Sequence, residues 1–486
     1  ADCPSEFKEI CGAEVVFRLI CVAEGAEPEE LLSEYADILS VAVTADIMPL
    51  KGENRSIVKD GIKKLKSAPS AGLSAIMSVA GIKCGDMNAS RIAFGIAPRI
   101  NAAGRLGNAD IAFRLLTTDN ESEALKLAKR IDELNTERRE TENEIFKKAA
   151  ETIEKEGLDH RRVIVVSGKG WHPGVVGIAA ARITERYGKP SVVISENGDV
   201  SSGSARSIEG FAVFDAIKYA SSLLTKFGGH KQAAGLSLKT ENIAAFREKI
   251  NEYAEAIPFV PPTLRLDCRL KPSALSLDLA DAIKQLEPFG AGNPTPVFGV
   301  FGVTLIRITP IGGGKHLRLL FSKAENTFQT LLFGVTPERF CFKEGDILDA
   351  AVTVETDFYG GEYNLSVRIK ALRMSGTDDE RLFREMDNLE LFLSGKRFNI
   401  NDVLPSRQET GTVYRMIGPF GTNAERIKYL SLKDPGYAKS EISLTVLSEL
   451  GLIEKNKDGV LKTTGKRNEL CNSPTYKKLS EGGTAK

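Results

Sequence analysis

The chain is short of paired cysteines, of histidine and of any excess charge. Its seven cysteines, at 3, 11, 21, 84, 268, 341 and 471, include no Cys-x-x-Cys pair. An odd, dispersed set excludes a disulfide framework and a cysteine-held zinc, and points to reduced thiols in a cytoplasmic protein. The four histidines, at 160, 172, 230 and 316, are never adjacent. Lys+Arg and Asp+Glu are both 65, so formal net charge is zero. A nucleic-acid footprint must then be a local groove and not a property of the whole surface. No run of 18 apolar residues exists, so no membrane span is expected. Ala1-Asp2-Cys3-Pro4 has neither the basic start nor the apolar core of a signal peptide.

What is present reads as a multidomain α/β protein. With 486 residues, 42% hydrophobic and 27% charged, the chain is globular and too long for one core; three or four domains are expected. Residues 1–115 alternate helical and strand patterns, with helices predicted over Phe7–Ala23, Arg55–Leu65 and Leu73–Val79. The apolar run Ala36–Val43 is read as a buried strand. Asp46 follows it, and a carboxylate past the end of such a strand is a ligand or catalytic position; a helix or turn cap is the other reading. Residues 116–156 hold the longest helical signal. Leu125, Ala128, Ile131 and Leu134 form its stripe, and the stretch 135–144 has no apolar residue. The expectation is a connector of ~50 Å with a solvated middle.

Residues 157–257 form a second α/β unit, with strands at Arg162–Ser167 and Ser191–Ser195. It contains the stretch on which the reading turns, Gly203-Ser204-Ala205-Arg206-Ser207 followed by Phe227-Gly228-Gly229-His230 and Gly235. Glycine lets backbone N–H groups approach an anion, serine and arginine add donors suited to phosphate, and histidine can donate or carry a proton. A plain turn beside a satisfied histidine fits the same letters. Ala97–Leu106 (APRINAAGRL) is a small-residue stretch carrying Asn101 and Arg105, suited either to a ligand backbone or to a tight helix–loop junction.

Residues 258–376 open on the linker PFVPPT and hold five strand patterns, which suggests an OB-fold barrel. Phe321, Phe333, Phe358, Tyr359 and Tyr363 are candidates for base stacking or for barrel core. Residues 377–486 form a fourth unit. The helix Ser440–Leu450 and a hairpin turning at Lys457-Asp458-Gly459 suggest a winged-helix variant, either a DNA reader or a docking module. The last five residues are expected to fray.

Five motifs in order, APRINAAGRL, GWHPGVVG, GSARS, FGGH and EPFGAGNPTPVF, make the chain resemble the RecJ family of single-strand-specific 5′→3′ DNA exonucleases, within the DHH phosphoesterase superfamily. The resemblance runs from about residue 2 to 375. It implies that residues 1–115 are the C-terminal part of a DHH domain, 157–257 a DHH-associated domain and 258–376 the OB-fold that feeds in the strand. It implies Asp46 as a ligand for Mn²⁺ or Mg²⁺ and His230 beside the scissile phosphate. Ser204 and Arg206 would grip a 5′ phosphate, with Gly228 and Gly229 beside it, and Arg105 and Asn101 would touch the DNA backbone. The implied function is metal-dependent release of mononucleotides in DNA repair and recombination, by a cytoplasmic monomer acting on single-stranded DNA with a 5′ end beside a single-strand-binding protein or helicase. The family's Asp-x-Asp, second Asp and Asp-His-His motifs are absent, so the chain is expected to start just after them. An inactive single-strand-binding fragment, and a phosphodiesterase for oligonucleotides or cyclic dinucleotides, are the alternatives.

Overall fold

The computed structural model describes residues 7–257, 263–359, 361–418, 422–456 and 460–482. The linker PFVPPT, all but its last residue, the Lys457–Gly459 turn, and all but the first residue of the Gly482–Lys486 tail lie outside them. The chain divides into two compact units, 1–260 with 286–295, and 261–285 with 296–486.

The first unit opens with helices only. They are α1 (Gly12–Glu24), α2 (Pro28–Ala45), α3 (Gly52–Ser67), α4 (Ala71–Val79), the short α5 (Ala89–Arg91), α6 (Ala97–Arg105) and α7 (Ala109–Thr117). The strand expected at Ala36–Val43 is the second half of α2. The cause is burial on two sides: Leu39 and Val43 enter one core with Phe17, Ile57 and Val58, while Val41 enters another with Leu65, Leu73 and Ile76. A helix buried on opposite faces loses its amphipathic period and reads like a buried strand. Pro28 at the first turn and Glu30, which accepts from the Glu27 N–H, fix its start.

Helix α8 (Glu121–Glu156) has the expected length but not the expected middle. Its first half packs Ala124, Ala128, Ile131 and Leu134 into the helical core, and its second half packs Ile145, Ala149 and Ile153 against a sheet. Between these, Asn135 and Glu142 are buried and Arg138 is largely so, continuing the same stripe with polar atoms.

The sheet is built from β1 (Ile164–Lys169), β2 (Ser191–Glu196), β3 (Val200–Arg206), β4 (Leu224–His230) and β5 (Ala233–Lys239), in the order β1-β2-β3-β5-β4. Only β1 and β2 run parallel. α9 (Pro173–Tyr187) and the end of α8 cover one face over β1 and β2. α10 (Val213–Tyr219) and α11 (Ile243–Glu255) cover the other, around Val165, Ala205, Leu236 and Phe246.

The second unit contains a closed five-strand barrel. β6 (Cys268–Arg269) and α12 (Leu277–Lys284) lead into β7 (Phe298–Ile311), β8 (His316–Lys323), β9 (Asn326–Leu332), β10 (Ile347–Tyr359) and β11 (Glu362–Met374). The ring closes because β10 pairs with both β11 and β7. This is the expected OB-like barrel. Phe321 is fully buried inside it and unavailable to a base, whereas Phe333, Phe358 and Tyr363 are exposed. The side chain of Tyr359 lies outside the described residues.

Beyond α13 (Asp379–Leu393) and α14 (Ile400–Val403), the order α15 (Arg407–Ile417), β12 (Thr422–Asn423), α16 (Ala424–Leu430), α17 (Tyr437–Glu449), β13 (Ile453–Lys455), β14 (Val460–Thr463) is that of a winged helix; α18 (Pro474–Gly482) follows. Arg426 on α16 forks onto Asp346 of the barrel at 2.6 and 3.2 Å. α17 stands where a groove-reading helix would be, yet it packs against α13, α14, α15, α16 and α18. Its exposed positions are Thr445, Ser448 and Glu449, none of them basic. A helix enclosed in this way has no face to lay in a DNA groove, which leaves docking as the remaining sense of the winged-helix pattern.

Candidate phosphate-binding corner

The functional side chains gather where β3 meets the first turns of α9. Ser204 and Arg206 are two apart on β3 and therefore share a face. The register extends that face across the sheet: Ser204 pairs with Gly235, which pairs with Gly228, and Arg206 pairs with Ala233, which pairs with His230. Gly228 and Gly235 would each carry a Cβ into open space. The result is a shelf bare of side chains, with Arg206 and Ser204 at its inner edge and His230 exposed at its rim on the edge strand β4.

Gly228 and Gly229 therefore lie in a strand and not in a turn. Gly229 has its own structural cause. Its φ is 149°, and a Cβ there would sit 2.4 Å from the Ala233 carbonyl. On α9, a Cβ at Gly177 would meet the Arg206 Nη2 at 3.2 Å and the Ser204 Oγ at 3.3 Å, so this glycine gives the two donors their room. His172 caps α9, its Nδ1 accepting from the Gly174 N–H at 3.1 Å.

Arg105 ends α6 and donates from Nη1 to the Gly174 carbonyl at 3.2 Å, which ties it to the start of α9. Asn101 is exposed one turn earlier on the same helix face. Desolvation, and then the neighbouring Arg138 guanidinium, lower the Arg105 pKa, against the pull of Glu142. Burial, and then Arg105 itself, lower that of Arg206. Arg206 donates to the adjacent Ala205 carbonyl at 2.8 Å. Among the described residues neither arginine has a carboxylate partner, and the Ser204 hydroxyl makes no hydrogen bond.

Sequence reasoning missed the support behind this corner. Glu142 accepts from Arg138 at 2.6 Å and from Arg182 at 3.1 Å; Arg138 also donates to Asn135, and Arg182 to Asn143. The charge run at 137–140 was expected to be a solvated face, but Arg138 and Glu142 are each 11% exposed. The available signal was the spacing 131, 134, 135, 138, 142, 145, which keeps one helical face throughout. The other arginine of APRINAAGRL, Arg99, is structural and pairs with Asp132 at 2.8 Å.

Asp46 stands apart from the arginine corner in its local structure. It is exposed and forms the C-cap of α2, so the cap reading holds and the strand-end reading does not. Among the described residues no group of three or more His, Cys, Asp or Glu could hold a metal ion. The residues present therefore do not fit the Mn²⁺ or Mg²⁺ centre that the family resemblance implies. No helix of the described residues is long and apolar enough to cross a membrane.

Comparison with known proteins gives two domain matches, a DHHA1 domain over residues 160–256 and a RecJ OB domain over 266–371. Among curated proteins, the chain is 36% identical over 324 residues to the single-stranded-DNA-specific exonuclease RecJ of Bacillus subtilis, a match covering 65% of this chain and 40% of that protein. It is 35% identical over 285 residues to RecJ of Thermus thermophilus, covering 58% and 41%. The match to Escherichia coli RecJ is 32% over 306 residues, covering 60% and 52%. The chain thus spans about half the length of the relatives it matches. Among solved structures, RecJ from Thermus thermophilus in complex with Mn²⁺ superposes with a TM-score of 0.67 at 29% identity, over 77% of this chain and 55% of that one. The Mg²⁺ complex gives the same score over 81% and 65%.

Proposed function

We propose that this RecJ-like chain, with its DHHA1 and RecJ OB domains, is the strand-gripping and strand-guiding part of a metal-dependent 5′→3′ exonuclease acting on single-stranded DNA. The observation that carries the proposal is the pair Arg105 and Arg206, partly buried, mutually repelling and without a carboxylate. Charges drawn from water without a partner are costly, and an anion relieves that cost. A terminal 5′ phosphate is the suited anion: it carries about two negative charges and three acceptor oxygens, against two guanidinium forks and the free Ser204 hydroxyl. Asn101, exposed on the same face as Arg105, would contact the adjoining backbone.

With the terminal phosphate at Arg206, the strand would cross the bare shelf over Gly235 and Gly228. His230 lies two strands away, about 10 Å from the Arg206 backbone, where it would donate to the next phosphodiester. In the second unit, Phe358 and Tyr363 lie 5.1 Å apart in edge-to-face contact, with the Lys284 ammonium 5.1 Å from the Tyr363 ring. Phe333 sits between His316 and Arg368. Exposed rings beside cations stack bases without regard to sequence, which suits a guide for single strands. A helicase or single-strand-binding protein would supply such strands.

When bound, divalent ions would activate water and stabilise the pentavalent phosphorane, and two-ion chemistry needs several clustered ligands. Asp46 alone does not provide them, so we assign no chemical step to this chain; the remaining ligands would come from outside it. The same observation favours the second reading, a non-catalytic single-strand-binding fragment. Incubation of the chain with Mn²⁺ and 5′-phosphorylated single-stranded DNA should give binding without release of mononucleotides. Robust release would show that the chain holds a complete centre and overturn this division of labour.

A further inference from the structure

Helix α1 is apolar on two sides. One side carries Phe17 and Cys21 into the core with Leu39, Val43, Ile57 and Val58. The other carries Val15, Val16, Leu19 and Val22, which are 54, 55, 67 and 79% exposed. Positions 15, 19 and 22, with 16 beside them, form one helical stripe. A helix apolar on opposite faces is built to lie between two layers, and a contiguous exposed aliphatic stripe marks an interaction surface.

A second observation lies at the neighbouring turn. α1 and α2 form an antiparallel hairpin through Gly25–Glu27, so the start of α1 lies beside the end of α2 and its Asp46 cap. Ile47, next to Asp46, has φ 58° and is 75% exposed. A β-branched residue in the left-handed region is strained, and such strain is kept where function or a partner requires it. Val15, Val16 and Ile47 thus put exposed aliphatic groups at the same end of the hairpin as the solitary carboxylate.

We propose that the outer face of α1 is the docking surface for a polypeptide segment outside this chain, with an apolar face of its own and with the carboxylates that complete a cation site around Asp46. This rests on the function proposed above. A second copy of the chain is the poorer occupant, because its described residues hold no metal-capable group of three to contribute. The relatives do have matter to spare: about half of each lies outside the matched stretch.

The test mixes the full chain with a separately purified polypeptide, the stretch of the Bacillus subtilis RecJ upstream of the region this chain resembles. The expected result is a one-to-one complex by light scattering and Mn²⁺-dependent release of mononucleotides that neither piece gives alone. Leu19→Asp with Val22→Asp should weaken the complex at least tenfold while leaving the melting temperature of the chain unchanged, since both side chains are exposed. Val200→Asp, at a similarly exposed aliphatic position on β3, should leave the complex intact. No complex, or one indifferent to the double substitution, would overturn the proposal. So would a dimer of the chain alone that the double substitution disperses, since it would make a second copy the occupant. Binding of 5′-phosphorylated DNA by the chain alone, measured in the same samples, separates the two claims. If it persists while docking fails, only the docking surface is lost; if it is absent, the strand-gripping function itself fails.

Discussion

Arg206 and Asp46 are both polar groups singled out by the sequence, and their surroundings differ in kind. Around Arg206 the fold assembles a second guanidinium, a free hydroxyl, a glycine notch on α9 and an unobstructed shelf. Behind these, a buried carboxylate holds two further arginines in place. Around Asp46 there is a helix cap, an exposed isoleucine and no other candidate ligand among the described residues. A binding corner can be completed by local elements, here one strand and two helix ends. A two-ion centre needs carboxylates from several elements brought to one point, and a single carboxylate is only a fraction of it. The comparison teaches that grip and chemistry are separable in this fold, with the grip complete within the chain.

The largest expected effect is on the support of the corner. Glu142→Leu leaves Arg138 and Arg182 without their shared counter-charge in a largely buried setting, and removing one partner of a buried pair costs about 3 kcal/mol. Urea unfolding should show that loss, together with weaker DNA binding because Arg138 is released toward Arg105. A change within about 0.5 kcal/mol, the range of ordinary surface substitutions, would mean that the network is not a support. Arg206→Ala comes next. A charge-assisted contact to phosphate is worth about 1.5–3 kcal/mol, so the preference for a 5′-phosphorylated strand should fall roughly ten- to a hundredfold. Fluorescence anisotropy with phosphorylated and unphosphorylated strands measures it, and an unchanged preference would remove the arginine from the corner. Asp46→Asn should do least, leaving binding of the same strand by the isolated chain within about twofold, since an exposed cap makes little energetic difference. A large loss there would join the two corners into one site.

Much of this was legible in the sequence, and the failures have physical causes. α8 and the barrel strands were readable because each is half-buried, which preserves the helical or the alternating period. The second half of α2 was misread as a strand because it is buried on both sides. The Gly228-Gly229-His230 stretch had been weighed as a cradle or a turn, whereas it is an edge strand, where glycine is depleted for want of a side chain to pack; here the missing side chains are what keep the shelf bare. Ser204, Arg206 and His230 were named from their types and order, and the sheet register puts them on one face. Arg138 and Glu142 were passed over because charged letters in a helix usually mean solvent, and only packing against α9 reveals the buried stripe. Phe321 illustrates the limit for aromatics: its letter is the same whether it fills a barrel or faces a base.

The most direct measurement of the central claim is the affinity of the unmodified chain for two single strands of identical sequence, one with a 5′ phosphate and one with a 5′ hydroxyl, across a salt series. The account predicts at least tenfold tighter binding of the phosphorylated strand at low salt, with that advantage shrinking as salt rises because the terminal phosphate adds charge–charge contacts. Equal affinities at every salt concentration would contradict it.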